Sequence, residues 1–177
     1  MFETIKQRFR DMSTIKTLCL AAEQHANADG KKAPGAEHFV LAALESPDGT
    51  ARKAFEHIGA DPNGLREAIA QQYADALKAV GIDTAPGAAG TGEAAVVVPP
   101  GTGAYQTQAS AQSMVQLLAS QQKANAGAPL LSAHVLVAVA AAQHGVAIRA
   151  LKAMGVDPKA LAEAAAVEIS AATVYEI

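Results

Sequence analysis

Tryptophan is absent from this 177-residue chain, and all aromatic residues together make up 4% of it. Half of the residues are apolar, yet nearly half of those are alanine, a composition that favours closely packed helices over a β-sandwich. Cysteine is nearly missing as well. The single Cys19 excludes an internal disulfide and a multi-cysteine zinc site, and it suits a reducing compartment. Positive charge is not in excess: the net charge of −3 removes the electrostatic case for nucleic acid, which calls for a basic stripe. Long hydrophobic runs are lacking too. The longest, near Val135 to Ala142, is too short to span a bilayer, and no apolar segment of the secretory kind follows Lys6, Arg8 and Arg10. These absences describe a cytoplasmic protein without membrane or nucleic-acid partners, folded as one compact domain or two small ones.

What the chain does contain, it contains twice. Gly35-Ala-Glu-His-Phe-Val-Leu-Ala-Ala-Leu44 is echoed by Leu131-Ser-Ala-His-Val-Leu-Val-Ala-Val-Ala140. The pairs His38/His134, Gly49/Gly145, Gly59/Gly155 and Pro62/Pro158 are all separated by 96 positions, so the copies align without a gap. Each copy reads as four helices. In the first, Ser13 or Thr14 is placed to cap a helix whose apolar face is Ile15, Leu18, Cys19 and Ala22. The stretch from Glu37 to Glu45 is apolar on every side and predicts a helix buried at the centre of its unit. Ser46-Pro-Asp-Gly49 is a turn, and Ala51 to Ile58 is a short helix closed by Gly59. Asp61-Pro62 supplies a cap and a first-turn proline for a fourth helix running from Leu65 towards Val80. The pattern restarts at Gln108, with Ser132 placed to cap the second buried helix and Asp157 to Ile169 closing the set.

The expected organisation is an N-terminal extension (1–12) that docks loosely, a first repeat (13–80), a Gly/Pro-rich linker (81–107), a second repeat (108–170) and a C-terminal tail (171–177) that frays from Ala171. The fold class is all-α: two four-helix repeats related by a pseudo-twofold axis. Each repeat has a small alanine-rich core that is marginal alone, which is the physical reason to have two.

The pattern Gly-x-Glu-His before a Leu/Val-rich helix, then Gly-x-Ala-x-x-Ala and a hydrophobic-Gly-hydrophobic turn, resembles the Clp N-terminal repeat over roughly Ser13 to Tyr73 and Gln108 to Ile169. That resemblance implies the N-terminal domain of the ClpA, ClpB and ClpC types of unfoldase, here as a stand-alone protein without ATPase modules. It implies a non-enzymatic module that binds peptides or modified proteins, cyclic-peptide antibiotics among them, and acts as an adaptor, a decoy or a sink. The alternative it carries is a regulatory partner that docks on a Clp unfoldase and modulates Clp-dependent proteolysis.

The resemblance also marks candidate site residues. The glutamate of the motif, Glu37, corresponds to one that in the ClpC type helps to bind phosphorylated arginine, and a carboxylate accepting two parallel N–H bonds is sound chemistry for that. An acidic residue in a helix's first turn also simply offsets the macrodipole, and both readings stand. The second copy has Ala133 at this position, which excludes a pair of equivalent sites and leaves one. Phe2 and Tyr105 are aromatics outside the repeats that resemble groove-lining residues for cyclic peptides, and they serve equally to pin a terminus to the core. Ser132, at the start of the second buried helix, completes the candidate ligand surface.

Other motifs are read as structural. Val98-Pro-Pro-Gly-Thr-Gly103 resembles the opening of a phosphate-binding loop, but Ala104 and Tyr105 stand where lysine and Ser/Thr are needed, so no nucleotide cofactor is expected. His38 and His134 have no second ligand at metal spacing, which leaves a buried imidazole bonded to a loop and no metal. His25, His57 and His144 are expected at the surface. Cys19, without an assignable histidine partner, belongs to the core.

Overall fold

Each repeat has a long first helix, two short helices and a long closing helix, as the hydrophobic periodicity requires. In the computed structural model, which describes residues 2–79, 81, 108–124 and 128–174, the first repeat comprises α1 (Phe2–Ala28), α2 (Ala36–Leu44), α3 (Thr50–His57) and α4 (Leu65–Ala79). The second comprises α5 (Ala109–Ala124), α6 (Ala133–Ala141), α7 (Val146–Ala153) and α8 (Pro158–Val174). The described residues contain no strand. The all-α, duplicated architecture expected from the sequence is the one observed.

Local chemistry sets the boundaries of these helices. Gly59 and Gly155 adopt φ of 68° and 75°, the left-handed conformation that lets the chain turn back after α3 and α7. Asp61 then accepts the backbone N–H of Asn63 at 2.9 Å and starts a 3₁₀ turn, Pro62–Gly64, that leads into α4. Asp157 repeats the contact with Lys159 at 3.2 Å at the start of α8.

The termini differ from expectation. Ser13 and Thr14 cap nothing, because α1 runs unbroken from Phe2. The Thr14 and Thr17 hydroxyls instead donate to the carbonyls of Arg10 and Ser13 one turn back, which satisfies them inside the helix. Nor is the extension docked loosely at Asp11. That residue is 3% exposed and accepts the Leu130 N–H at 3.0 Å and the Gln122 amide at 2.6 Å, tying α1 to the second repeat. The start of α5 makes the matching contact with the first repeat, where Gln108 donates to the carbonyls of Pro34 and Ala33. At the other end, α8 continues through Ala171 to Val174. The linker from 82 to 107, including Val96–Val98, and the last three residues lie outside the described residues.

All nine residues of α2 are buried, and α2 packs against α6 at the centre of the molecule. Helix α1 covers α2, and α5 covers α6. The closing helices then cross over: α4 lies on α7, and α8 lies on α3 as well as α6. Each short third helix is thus covered by the closing helix of the other repeat. Alanines such as Ala43, Ala54, Ala133 and Ala150, all fully buried, let the helices approach closely around the larger Phe39, Phe55, Leu136 and Leu151.

A polar knot joins the repeats where α3 and α6 begin. Ser132, fully buried, donates to Asp48 Oδ1 at 2.5 Å, and Thr50 donates to the same oxygen at 2.6 Å. Each hydroxyl also accepts from the other helix: Ser132 from the Ala51 N–H at 3.1 Å, and Thr50 from the Ala133 N–H at 3.0 Å. Ser132 therefore does not cap its own helix; the two hydroxyls cap each other's helices across the repeat boundary. Asp48 further accepts the backbone N–H groups of Thr50 and Ser132. Burial pushes its carboxyl up, but hydrogen bonds from Ser132, Thr50 and Ser46 outweigh that and hold it below its ordinary value.

Ser132→Ala strips a partner from Asp48 and from the Ala51 N–H at once. It is expected to cost about 1–3 kcal/mol, seen as a lower urea midpoint at unchanged slope. Because the Asp48 carboxyl titrates lower in the folded chain, its contribution is complete above its ordinary value near 3.8 and fades as the pH falls through the depressed one. Asp48→Asn should flatten that acid limb.

Candidate functional site

Gly35, buried and extended, precedes α2 and donates its N–H to Nδ1 of His38 at 2.8 Å, while the His38 N–H returns to the Gly35 carbonyl at 3.1 Å. With Nδ1 accepting, the imidazole proton sits on Nε2, which lies 3.4 Å from Asp29 Oδ2. His134 holds Leu131 in the same way, its Nδ1 3.0 Å from the Leu131 N–H. Burial pushes both imidazoles below the ordinary 6.5, against the opposing pull of nearby carboxylates. The repeated histidine is a reciprocal helix-start clasp, which explains its presence in both copies.

Glu37 follows Gly35 by two positions and is 2% exposed. Its carboxylate curls back over Gly35, where an added Cβ would push it aside, so glycine serves there for space and not for backbone conformation. Tyr73, from α4, donates its hydroxyl to Glu37 Oε1 at 2.5 Å. Burial pushes the phenol up, and the Glu37 charge pushes it further, so it stays a donor. The Lys31 ammonium sits 4.0 Å over the Tyr73 ring. From α7 of the other repeat, the positive Arg149, which donates to Gln72 at 3.2 Å, acts on the same phenol. Asp29 pairs with Arg66 at 3.3 Å, and Arg66 meets Nδ1 of His25 at 2.6 Å. His25, expected at the surface, is 7% exposed and wedged between Arg66 and Glu45.

The second repeat keeps none of this chemistry. At the 96-residue offset His25 becomes Gln121, Asp29 becomes Asn125, Lys31 becomes Gly127, Glu37 becomes Ala133, Arg66 becomes Ala162 and Tyr73 becomes Ile169. Every charge that the first repeat contributes is gone; only Arg149 has a charged counterpart, Lys53. The two helix starts are equivalent in backbone and opposite in chemistry.

The sequence profile of the Clp repeat (R) N-terminal domain matches residues 14–99. The fold matches the crystal structure of the N-terminal domain of the caseinolytic protease associated chaperone ClpD from Arabidopsis thaliana, with a TM-score of 0.58 over 88% of this chain and 91% of that one. This is a Clp N-terminal domain. The identity to the ClpD domain is 16%, so that likeness concerns the fold. A 56-residue stretch is 34% identical to the chaperone protein ClpC1, chloroplastic, of Oryza sativa subsp. japonica. It spans 32% of this chain and 6% of that relative.

Within this Clp N-terminal domain the sequence-marked residues fall in different places. Glu37 lies under Tyr73, and Ser132 lies inside the polar knot, closed off from any surface. Phe2 is in the first turn of α1, its side chain outside the described residues, as is Tyr105 altogether. Cys19 is half-buried against Ile15, Leu18, Phe39, Val115 and Leu118, and burial pushes its thiol up, away from the reactive thiolate. His57 and His144 are exposed. Among the described residues no group of three or more His, Cys, Asp or Glu is arranged to hold a metal, and no single helix is long and apolar enough to cross a membrane. Sequence reading missed Asp48, Thr50, Lys31 and Tyr73. The signal for Tyr73 was present: Glu37 and Tyr73 are replaced together, by Ala133 and Ile169.

The buried histidines give a pH prediction. The unfolded chain takes up protons near pH 6.5 that folded His38 and His134 resist, so unfolding gains protons as the pH falls. Stability should be full above about 6.5, decline below it, and level off once the depressed folded values are passed. Urea midpoints measured from pH 7.5 to 5 test this, and a flat profile overturns it.

Proposed function

We propose that this Clp N-terminal domain is a protein- and peptide-binding module with one ligand site, at the start of α2 in the first repeat. The observation that carries the reading is the one-sided chemistry: a buried carboxylate, a phenol and cations from both repeats at one helix start, whereas at its pseudo-equivalent the carboxylate, the phenol and the lysine are replaced by Ala133, Ile169 and Gly127. A carboxylate floor suits a guanidinium, and the ammonium of Lys31 and the guanidinium of Arg149 suit an anion beside it. A ligand carrying both is a phosphorylated arginine, so arginine-phosphorylated protein segments are the proposed substrate class. Clp unfoldase and protease components are the partners such a module serves.

Calorimetry with a phosphoarginine peptide and its unmodified counterpart tests this reading. The expected result is one ligand per chain, preference for the modified peptide, and at least roughly a tenfold loss with Glu37→Gln, the scale of a charge-assisted hydrogen bond. Lys31→Ala and Arg149→Ala should weaken the modified peptide more than the unmodified one. Two ligands per chain, or indifference to Glu37→Gln, counts against the site. Cyclic peptides form a competitor arm: binding that depends on Phe2 and Tyr105 but not on Glu37 would move the ligand surface to the aromatics.

A further inference from the structure

Glu37 carries a difficulty for any ligand. Its carboxylate is almost fully buried, and one oxygen is already held by the phenol of Tyr73 at 2.5 Å. A guanidinium delivering two parallel N–H bonds needs the position that this hydroxyl fills. We infer that Tyr73 is a gate on the Glu37 carboxylate, an internal occupant that a guanidinium ligand must displace. The inference rests on the guanidinium site proposed above and adds its regulation.

Three observations support it. Tyr73 is half-buried, and its ring meets the ammonium of Lys31 on one face, so this side chain is not locked inside the core as Leu65 and Ile69 of the same helix are. The residues of α4 after Ala74 are exposed, which leaves room for an outward swing. In the second repeat, moreover, the carboxylate and the phenol are lost together, to Ala133 and Ile169. An apolar side chain serves for packing at that position; the hydroxyl accompanies the carboxylate.

The gate also selects. A neutral phenol gives one hydrogen bond, whereas a guanidinium gives two charge-assisted ones and replaces it with a gain. An ammonium is a compact point charge, strongly hydrated in water, and lacks the planar fork. Lysine side chains are therefore excluded in favour of arginine-type groups. Opening the gate moves the ring from beneath Lys31 and frees its ammonium for the ligand's phosphoryl group, which couples recognition of the two halves of the ligand.

Tyr73 can be watched directly. The chain has three tyrosines and no tryptophan, so Tyr105→Phe with Tyr175→Phe leaves Tyr73 as the only emitter of its class. A phenol bonded to a carboxylate is quenched, and release brightens it. Titration with free phosphoarginine, arginine amide and lysine amide should brighten Tyr73 saturably for the first two and not for the third. By calorimetry, Tyr73→Phe should bind phosphoarginine about tenfold more tightly than the parent, the scale of one hydrogen bond to a charged group. Glu37-dependent binding with unchanged Tyr73 emission, or with no gain in Tyr73→Phe, overturns the gate and leaves the site standing. Absence of Glu37-dependent binding in both the parent and Tyr73→Phe overturns the site and the gate with it. Should Tyr73→Phe fail to fold, the emission experiment on the double variant decides alone.

Discussion

The structure depends on the reciprocal capping between α3 and α6. A helix start leaves backbone N–H groups without partners, and at the centre of a small alanine-rich protein no water is at hand to take them. Thr50 and Ser132 solve this for each other's helices, and the Asp48 carboxylate receives both hydroxyl protons and faces two positive helix ends. The bonds to the Ala51 and Ala133 N–H groups run between repeats, so each helix start depends on a hydroxyl of the other repeat. The crossing of α4 onto α7 and α8 onto α3 makes the same point with apolar surface. The duplicated halves are not two small domains in contact. They form one core that exists when both are folded.

The same pseudo-symmetry shows what is structural and what is not. Features present in both copies have fold roles that the structure makes explicit: the His38 and His134 clasps, the left-handed Gly59 and Gly155, and the Asp61 and Asp157 caps. Features present in one copy fall into two groups. The polar knot closes one boundary between the repeats, where Asp48, Thr50 and Ser132 meet; at the other boundary their counterparts are His144, Val146 and Ala36. The charged cluster around Glu37 is one-sided without any such structural need, since Ala133 and Ile169 support an equivalent helix start in the second repeat. That contrast directs attention to Glu37 and Tyr73.

Glu37 and Ser132 both stand at the start of a buried helix, and the structure separates them. Ser132 is consumed by the fold. Glu37 is buried as well, but the side chain that bonds it, Tyr73, is only half-buried. His25 shows the opposite error: a histidine near the end of a polar helix gives no sign of burial, and it is the loop and α4 that close over it.

The amino-acid sequence alone determined the all-α class, the duplication, the positions of α2 and α6, and the turns at Gly59 and Gly155. These follow from periodicity and backbone preference, which act over a few residues. The tertiary structure decided which helices exchange partners, where the Ser132 hydroxyl points, and what covers Glu37. Tyr73 lies 36 positions from Glu37, and Ser132 lies 84 from Asp48. Nothing local sets those pairings; they arise because a shared core brings distant helix starts together and requires every buried polar group there to find a partner.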